Sequence, residues 1–388
     1  MLNFTYNIPT IIHFGKGQVS AIQEELKKRA KKILIVTGTG SVKKNGIFDA
    51  VIKEVKKAGT PFVELAGIKP NPRLQSVYEG INICRKESID FILAVGGGSV
   101  IDAAKAIAAG VKYEGDAWDF FEKHVPPADA LPVGTVLTLA ATGSEMNGNS
   151  VVTKEETKRK LAFGSPVTRP VFSVLDPEYT YTVPKYHTVA GVVDIMVHVF
   201  EQYFSNTTAS DVQDRIAEGL LKVCIEYGPV VCKKPRDYDA RANILWAGSL
   251  ALNDLMGQGK EEDWATHAIE HELSAIYDIS HGAGLAIVSP NWMKHVLNKK
   301  TLWRFIEYGV NVWGIEKDKP EEEIAEESIR RTREFFKSLG MPATLSEAGI
   351  PGEHFEDMAK KAIKDWGQVG HFKRLTENDI IQILKASH

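Results

Sequence analysis

The stretch "DFILAVGGGSVIDAAKAIAAGV", residues 90–111, decides the architecture of the first half of the chain. Its opening is apolar without alternation, which reads as a strand buried on both faces. Gly96, Gly97, Gly98 and Ser99 follow, and then an alanine-rich helix with Asp102 in its first turn. Glycines at such a junction let the backbone approach a phosphate, and free N–H groups at a helix N-terminus favour an anion. A tight β–α turn without a ligand would use the same residues, so the motif alone leaves both readings open.

Working outward, "KILIVTGTG" (32–40) repeats the pattern of a β-branched run ending in glycine. Its turn, "TGTGS" with Gly38, Thr39, Gly40 and Ser41, is a weaker signal, because Lys43 stands where a dinucleotide fingerprint has its third glycine. Helical periodicity in 46–59 and 74–88 alternates with strand-like runs at 60–68, 131–145 and 171–184. Such alternation predicts a parallel sheet covered on both faces. "TLAATGSE" (138–145) adds Thr138, Thr142 and Ser144, hydroxyls small enough to line a pyrophosphate or ribose. Together the three glycine- and hydroxyl-rich strand ends predict a phosphate-bearing cofactor at the carboxyl edge of the sheet.

The texture changes near "TVPKYHT" (182–188). Beyond it lie amphipathic stretches at 210–226, 238–256, 321–339 and 354–366, with no convincing strand. The expected organisation is an α/β dinucleotide-binding domain over 1–185 and an all-helical metal-binding and catalytic domain over 186–388. A strand-like segment, "NIPTIIHFGKG" (7–17), is expected to pair across a subunit boundary.

A length of 388 residues fits two domains, and a net charge of −3 argues against nucleic acid as a partner. "KKRAKK" (27–32) reads as a solvated helix end. No apolar run reaches the roughly 20 residues of a membrane span, and the N-terminal stretch lacks the pattern of a signal peptide. Cys84, Cys224 and Cys232 have no paired spacing, which implies a reduced compartment and a cytoplasmic protein.

"ATHAIEHELSAIYDISHGAG" (265–284) concentrates three of the chain's eleven histidines. His267 and His271 are four apart and share a helix face, while His281 follows a short polar break expected to contain a glycine bend. "GVVDIMVHVFEQYF" (191–204) holds a second such pair, Asp194 and His198, in an apolar context. One pair alone would read equally well as hydrogen-bonded core. Two pairs and a fifth group favour a divalent-metal site, and nitrogen and oxygen donors without thiolate suit Zn²⁺ or Fe²⁺.

The blocks "GGGSVIDAAK", "ATGSE", "GVVDIMVH" and "HAIEHELSAIYDISHGAGLAI" resemble the signatures of the iron-containing (group III) alcohol dehydrogenases. Within that family the chain is most similar to bacterial butanol dehydrogenases and NADPH-dependent aldehyde reductases. "GSVKKNGIFDAV" (40–51), "IKPNP" (68–72), "VLDPEYTYTVP" (174–184) and "YDARANILWAGSLALN" (238–253) agree, so the likeness runs nearly the whole length. The resemblance implies a dehydroquinate-synthase-like fold and one divalent metal, Fe²⁺ or Zn²⁺, on Asp194, His198, His267 and His281. It places His271 beside the nicotinamide and substrate, the phosphate turn on Gly96–Ser99 with Asp102, and further cofactor contacts on Thr138, Thr142, Asn147 and Lys160. It also implies a homodimer and small to medium aldehydes or primary alcohols as substrates.

Many NAD-preferring relatives place an aspartate after the strand that ends here in "TGTGSVKK", where no acid occurs. The turn leaves room for a 2′-phosphate near Lys43 and Lys44, so NADPH is slightly favoured over NADH. The resulting expectation is a metal-dependent oxidoreductase with His271 as proton relay. Alternatives are an NAD- and metal-dependent cyclase or lyase of the dehydroquinate synthase type, and a metallohydrolase, which would leave the glycine-rich sheet unexplained.

Overall fold

The computed structural model describes every residue, Met1–His388. In order, the first part of the chain forms β1 (Ile11–Phe14), α1 (Ala21–Arg29), β2 (Ile33–Gly38), α2 (Ser41–Lys44), α3 (Ile47–Ala58), β3 (Phe62–Ile68) and α4 (Leu74–Glu87). There follow β4 (Phe91–Gly96), α5 (Gly98–Val111), α6 (Asp119–Glu122), β5 (Val133–Leu137), β6 (Asn149–Lys154), β7 (Arg159–Gly164) and β8 (Phe172–Leu175). The remainder is helical: α7 (Lys185–Tyr203), α8 (Asp211–Lys233), α9 (Tyr238–Ala251), α10 (Ala265–Tyr277), α11 (His281–Val296), α12 (Leu302–Asn311), α13 (Glu321–Leu339), α14 (Phe355–Trp366) and α15 (Glu377–Ser387).

Six strands make one parallel sheet in the order β1-β8-β5-β4-β2-β3. Its central strands are buried and mostly apolar because helices cover both faces. Ile33 and Ile35 of β2 join the core of α1 and α3, whereas Leu34 and Val36 join that of α4 and α5. The strand order reverses between β2 and β4, and the carboxyl ends of strands at such a reversal are where open α/β sheets bind ligands.

The chain divides into an α/β unit, Asn7–Val183 with Pro235–Asn253, and a helical unit, Met1–Tyr6 with Pro184–Lys234 and Asp254–His388. A single break at 185/186 therefore describes the connectivity only coarsely. Helix α9 belongs to the α/β unit, where Leu245 enters the apolar core and Ser249 Oγ donates to the buried Glu145 carboxylate. The N-terminal residues belong to the helical unit, with Leu2 N donating to Gly259 O at 2.8 Å.

Two further features concern strands. The edge strand β1 pairs in parallel with β8 of its own sheet, Ile11 opposite Phe172 and Phe14 opposite Leu175. The antiparallel hairpin of β6 and β7 escapes sequence pattern because its turn, Glu155–Lys158, is wholly charged or polar. It fastens to α5 through Ser150 Oγ, which donates to Asp102 O at 2.8 Å, and Val151 N, which donates to Asp102 Oδ2 at 3.1 Å.

In the helical unit α7 is buried at every position from Thr188 to Tyr203 and packs against α8 and α11. That environment explains its nearly unbroken apolar sequence. No helix is long and apolar enough to cross a membrane.

Candidate functional site

The helical unit gathers five predicted residues. Asp194 and His198 come from α7, His267 and His271 from α10, and His281 opens α11. The break between α10 and α11 is made by Asp278 at φ 52°, not by a glycine; Gly282 and Gly284 lie inside α11. This reversal turns His281 back onto α10, with its ring centroid 5.2 Å from that of His267 and 5.8 Å from that of His271.

Donor atoms of Asp194, His267 and His281 all lie within 4.8 Å of one another. His281 Nε2 is 3.6 Å from Asp194 Oδ1, and His198 Nδ1 is 3.5 Å from the same oxygen. His198 stacks on His267 at 4.7 Å but stands outside the tight trio. A second group within the same limit joins Glu270, His271 and His281.

Hydrogen bonds settle which ring nitrogens face inward. Glu201 Oε1 accepts from His267 N at 3.0 Å and lies 2.8 Å from His267 Nδ1, so Nδ1 carries the proton and Nε2 the lone pair. His267 Nε2 is buried and has no hydrogen-bond partner. His281 Nδ1 contacts Glu270 Oε2 in the same way, which leaves its Nε2 toward Asp194. Burial, and then the charges of His267, His281 and His271, hold the His198 pKa well below its usual value, which favours the neutral form of that ring. Asp194, Glu201 and Glu270 are at most 3% exposed, and buried carboxylates are costly without a compensating cation. Inward-facing imidazole lone pairs beside a buried carboxylate fit a divalent metal ion.

The α/β unit assembles the turns at its strand ends. Thr138 N donates to Gly96 O at 3.0 Å, joining the ends of β5 and β4. A Cβ on Gly98 would lie 2.4 Å from Thr142 Oγ1, so the turn needs glycine to let the 138–145 loop close in. A Cβ on Gly38 would stand 3.6 Å from Val100, which puts the β2 turn beside the first turn of α5. Gly97 and Ser99 remain partly exposed there, as do Gly38 and Gly40, while Thr39 and Ser41 are exposed.

The other predicted cofactor residues are buried. Asp102 Oδ1 accepts from Ser144 Oγ at 2.5 Å, and burial raises its pKa despite the opposing charge of Lys105. Asn147 accepts from Lys105 Nζ at 3.1 Å and donates to Leu252 O at 3.0 Å. Lys160 is buried on β7. These contacts tie Asp102 to the 138–145 loop, and Asn147 to α5 and to Leu252.

A profile described as "Iron-containing alcohol dehydrogenase" matches residues 9–177, and one for the C-terminal region of the Fe-containing alcohol dehydrogenase family matches 188–388. The chain belongs to the iron-containing alcohol dehydrogenase family. It is 50% identical to NADH-dependent butanol dehydrogenase A of Clostridium acetobutylicum over the full length of both chains. It is 42% identical to the NADPH-dependent aldehyde reductase YqhD of Escherichia coli, covering 93% of each. The crystal structure of NADH-dependent butanol dehydrogenase A from Thermotoga maritima superposes with a TM-score of 0.96 at 41% identity, covering 100% of this chain and 99% of that one.

This alcohol dehydrogenase family member also holds residues that sequence reasoning passed over. Lys105 is fully buried and donates to Ser144 Oγ at 2.8 Å and Asn149 O at 2.8 Å. Its signal was a lone lysine three positions after Asp102 in an alanine-rich helix. Glu201 and Glu270 were likewise visible as carboxylates in apolar helices. An acid does reach the β2 turn, though from β3: Glu64 lies 2.7 Å from Lys43 Nζ and accepts from Thr37 Oγ1 at 3.1 Å.

Proposed function

We propose that this enzyme catalyses metal-dependent hydride transfer between NAD(P)H and small to medium aldehydes or the matching primary alcohols. The observation that carries the reading is the trio of Asp194, His267 and His281, the first two buried and the third half-buried, with both rings turned by Glu201 and Glu270 to aim Nε2 inward. Asp194, His198, His267 and His281 would hold the metal. When bound, a divalent ion supplies Lewis-acid polarisation of the substrate oxygen, and the nicotinamide supplies the hydride equivalent.

The chain's own residues account for the remaining requirements. Gly96–Ser99 and the N-terminus of α5 bind the cofactor phosphates, flanked by Gly38–Ser41, Thr138 and Thr142. Asp102, Asn147 and Lys160 brace that surface. His271, buried with its ring 5.8 Å from that of His281, moves a proton at an imidazole nitrogen to or from the substrate oxygen. The apolar walls of α7, α10 and α11 exclude water and strengthen these polar interactions.

For the nucleotide, Glu64 changes the balance reached from the turn alone. Its pairing with Lys43 engages one of the two lysines that would otherwise favour a 2′-phosphate. Space for that phosphate remains, so both nicotinamides are expected to serve, with NADH no longer the weaker choice. A homodimer in the cytoplasm is proposed on family grounds. Steady-state kinetics on metal-defined protein, with C2–C8 aldehydes and each nucleotide, test the proposal; absence of nucleotide oxidation across that panel would defeat it.

A further inference from the structure

We infer that Glu201 is the positioning residue that presents His267 to the metal, an inference that rests on the metal-site reading above. On α7, Asp194, His198 and Glu201 are spaced i, i+4, i+7 and therefore share one helix face. The first two point at the centre as prospective ligands. The third reaches past them to the start of α10, at 1% exposure.

Three donors of two consecutive residues meet on one oxygen of Glu201. Oε1 accepts from Thr266 Oγ1, from His267 N at 3.0 Å and from His267 Nδ1 at 2.8 Å. Holding the backbone N–H and the ring nitrogen of one histidine on a single atom fixes both the direction of the ring and its tautomer. The proton is kept on Nδ1, and Nε2 is left as a lone pair toward Asp194 and His281. Without Glu201 the ring would be free to rotate or to carry its proton on Nε2, where it would block coordination. Carboxylates behind a ligating histidine typically change metal affinity by about 10–100-fold.

The test uses Co²⁺ as a visible probe in full-length metal-depleted protein, with affinity read by chelator competition and geometry by the cobalt absorption bands. Glu201→Ala is expected to lower Co²⁺ affinity by about 10–100-fold and shift the bands, with Glu201→Gln between it and wild type. NADH binding, followed by fluorescence, should stay at the wild-type value in both. Wild-type affinity and spectrum in Glu201→Ala would overturn the inference while leaving the metal site standing. Failure of the wild-type protein itself to bind Co²⁺ stoichiometrically would overturn the metal reading and this inference together. If Glu201→Ala does not fold, Glu201→Met, similar in length but without the oxygen acceptor, carries the test, and unchanged Co²⁺ affinity in that variant would overturn the inference.

Discussion

Gly282, the residue after His281, lies in the first turn of α11 with an ordinary helical φ, so only space forbids a side chain there. A Cβ at this position would stand 2.1 Å from Ala190 O, 2.6 Å from Ala190 C and 2.8 Å from Ala190 Cα. Carbon–oxygen contacts close at about 3.3 Å, so Gly282→Ala requires α11 to back away from α7 by roughly 1 Å. The obstacle is backbone of a buried helix and cannot rotate aside. Ala190 precedes Asp194 by one turn of α7, and His281 adjoins Gly282, so the same displacement separates two members of the proposed metal trio. Metal sites tolerate about 0.2 Å in ligand distance, several times less than this shift. The variant should therefore lose at least tenfold in metal affinity, about 1.4 kcal/mol, and about 1–3 kcal/mol of stability from overpacking. Gly219→Ala in α8 is the control: nothing lies within 4 Å of its Cβ and its φ is ordinary. It should stabilise by about 0.4–1 kcal/mol and leave metal binding alone. Metal content after dialysis against chelator, with denaturant melts of both variants, supplies the comparison. If Gly282→Ala kept wild-type metal affinity, the close approach of α7 and α11 would not be what assembles the site.

Thr39→Asp should weaken NADPH by about tenfold to a hundredfold relative to NADH, or about 1–3 kcal/mol, since it places a carboxylate where a 2′-phosphate would lie; an unchanged ratio of kcat/KM would remove this turn from nucleotide selection. His271→Gln should lower kcat by about 10²–10⁴-fold with metal stoichiometry intact, and a near-native kcat would exclude proton relay at this residue. Burial alone would raise the Asp379 pKa, but hydrogen bonds from Thr376 and His295 and the charge of Lys373 outweigh it and hold the pKa below the usual 3.8. Because the folded value is the lower one, its contribution is complete above the unfolded pKa and fades as pH falls through the folded one. Asp379→Asn, which also breaks the capping box of α15, should cost about 1 kcal/mol at pH 6 and progressively less below about pH 4 in thermal melts. An undiminished difference at the lowest accessible pH would sever this stabilisation from ionisation.

Much of this molecule was legible because its strongest signals are periodic. The buried strands β2 and β4, the alanine-rich α5 and the i, i+4 pairs on α7 and α10 each carry their geometry in spacing. The hairpin β6–β7 was hidden because its turn is charged and its strands are stabilised by α5 through Asp102, a tertiary contact that no local pattern reveals. The attachment of helix α9 to the α/β unit was hidden for a related reason: its helical period was plain, but its partner, the loop holding Glu145, lies over a hundred residues away. Glu64 escaped because β3 pairs beside β2, so an acid distant in sequence reaches a turn that contains none. The directions of the His267 and His281 rings depend on Glu201 and Glu270, whose identity was visible but whose direction needed three-dimensional packing.

Aldehyde reduction by metal-depleted protein tests the central claim most directly. Chelation should abolish turnover while NADH or NADPH still binds, and one equivalent of Fe²⁺ or Zn²⁺ per chain should restore it. Reduction at the native rate by protein verified to be metal-free would contradict the account.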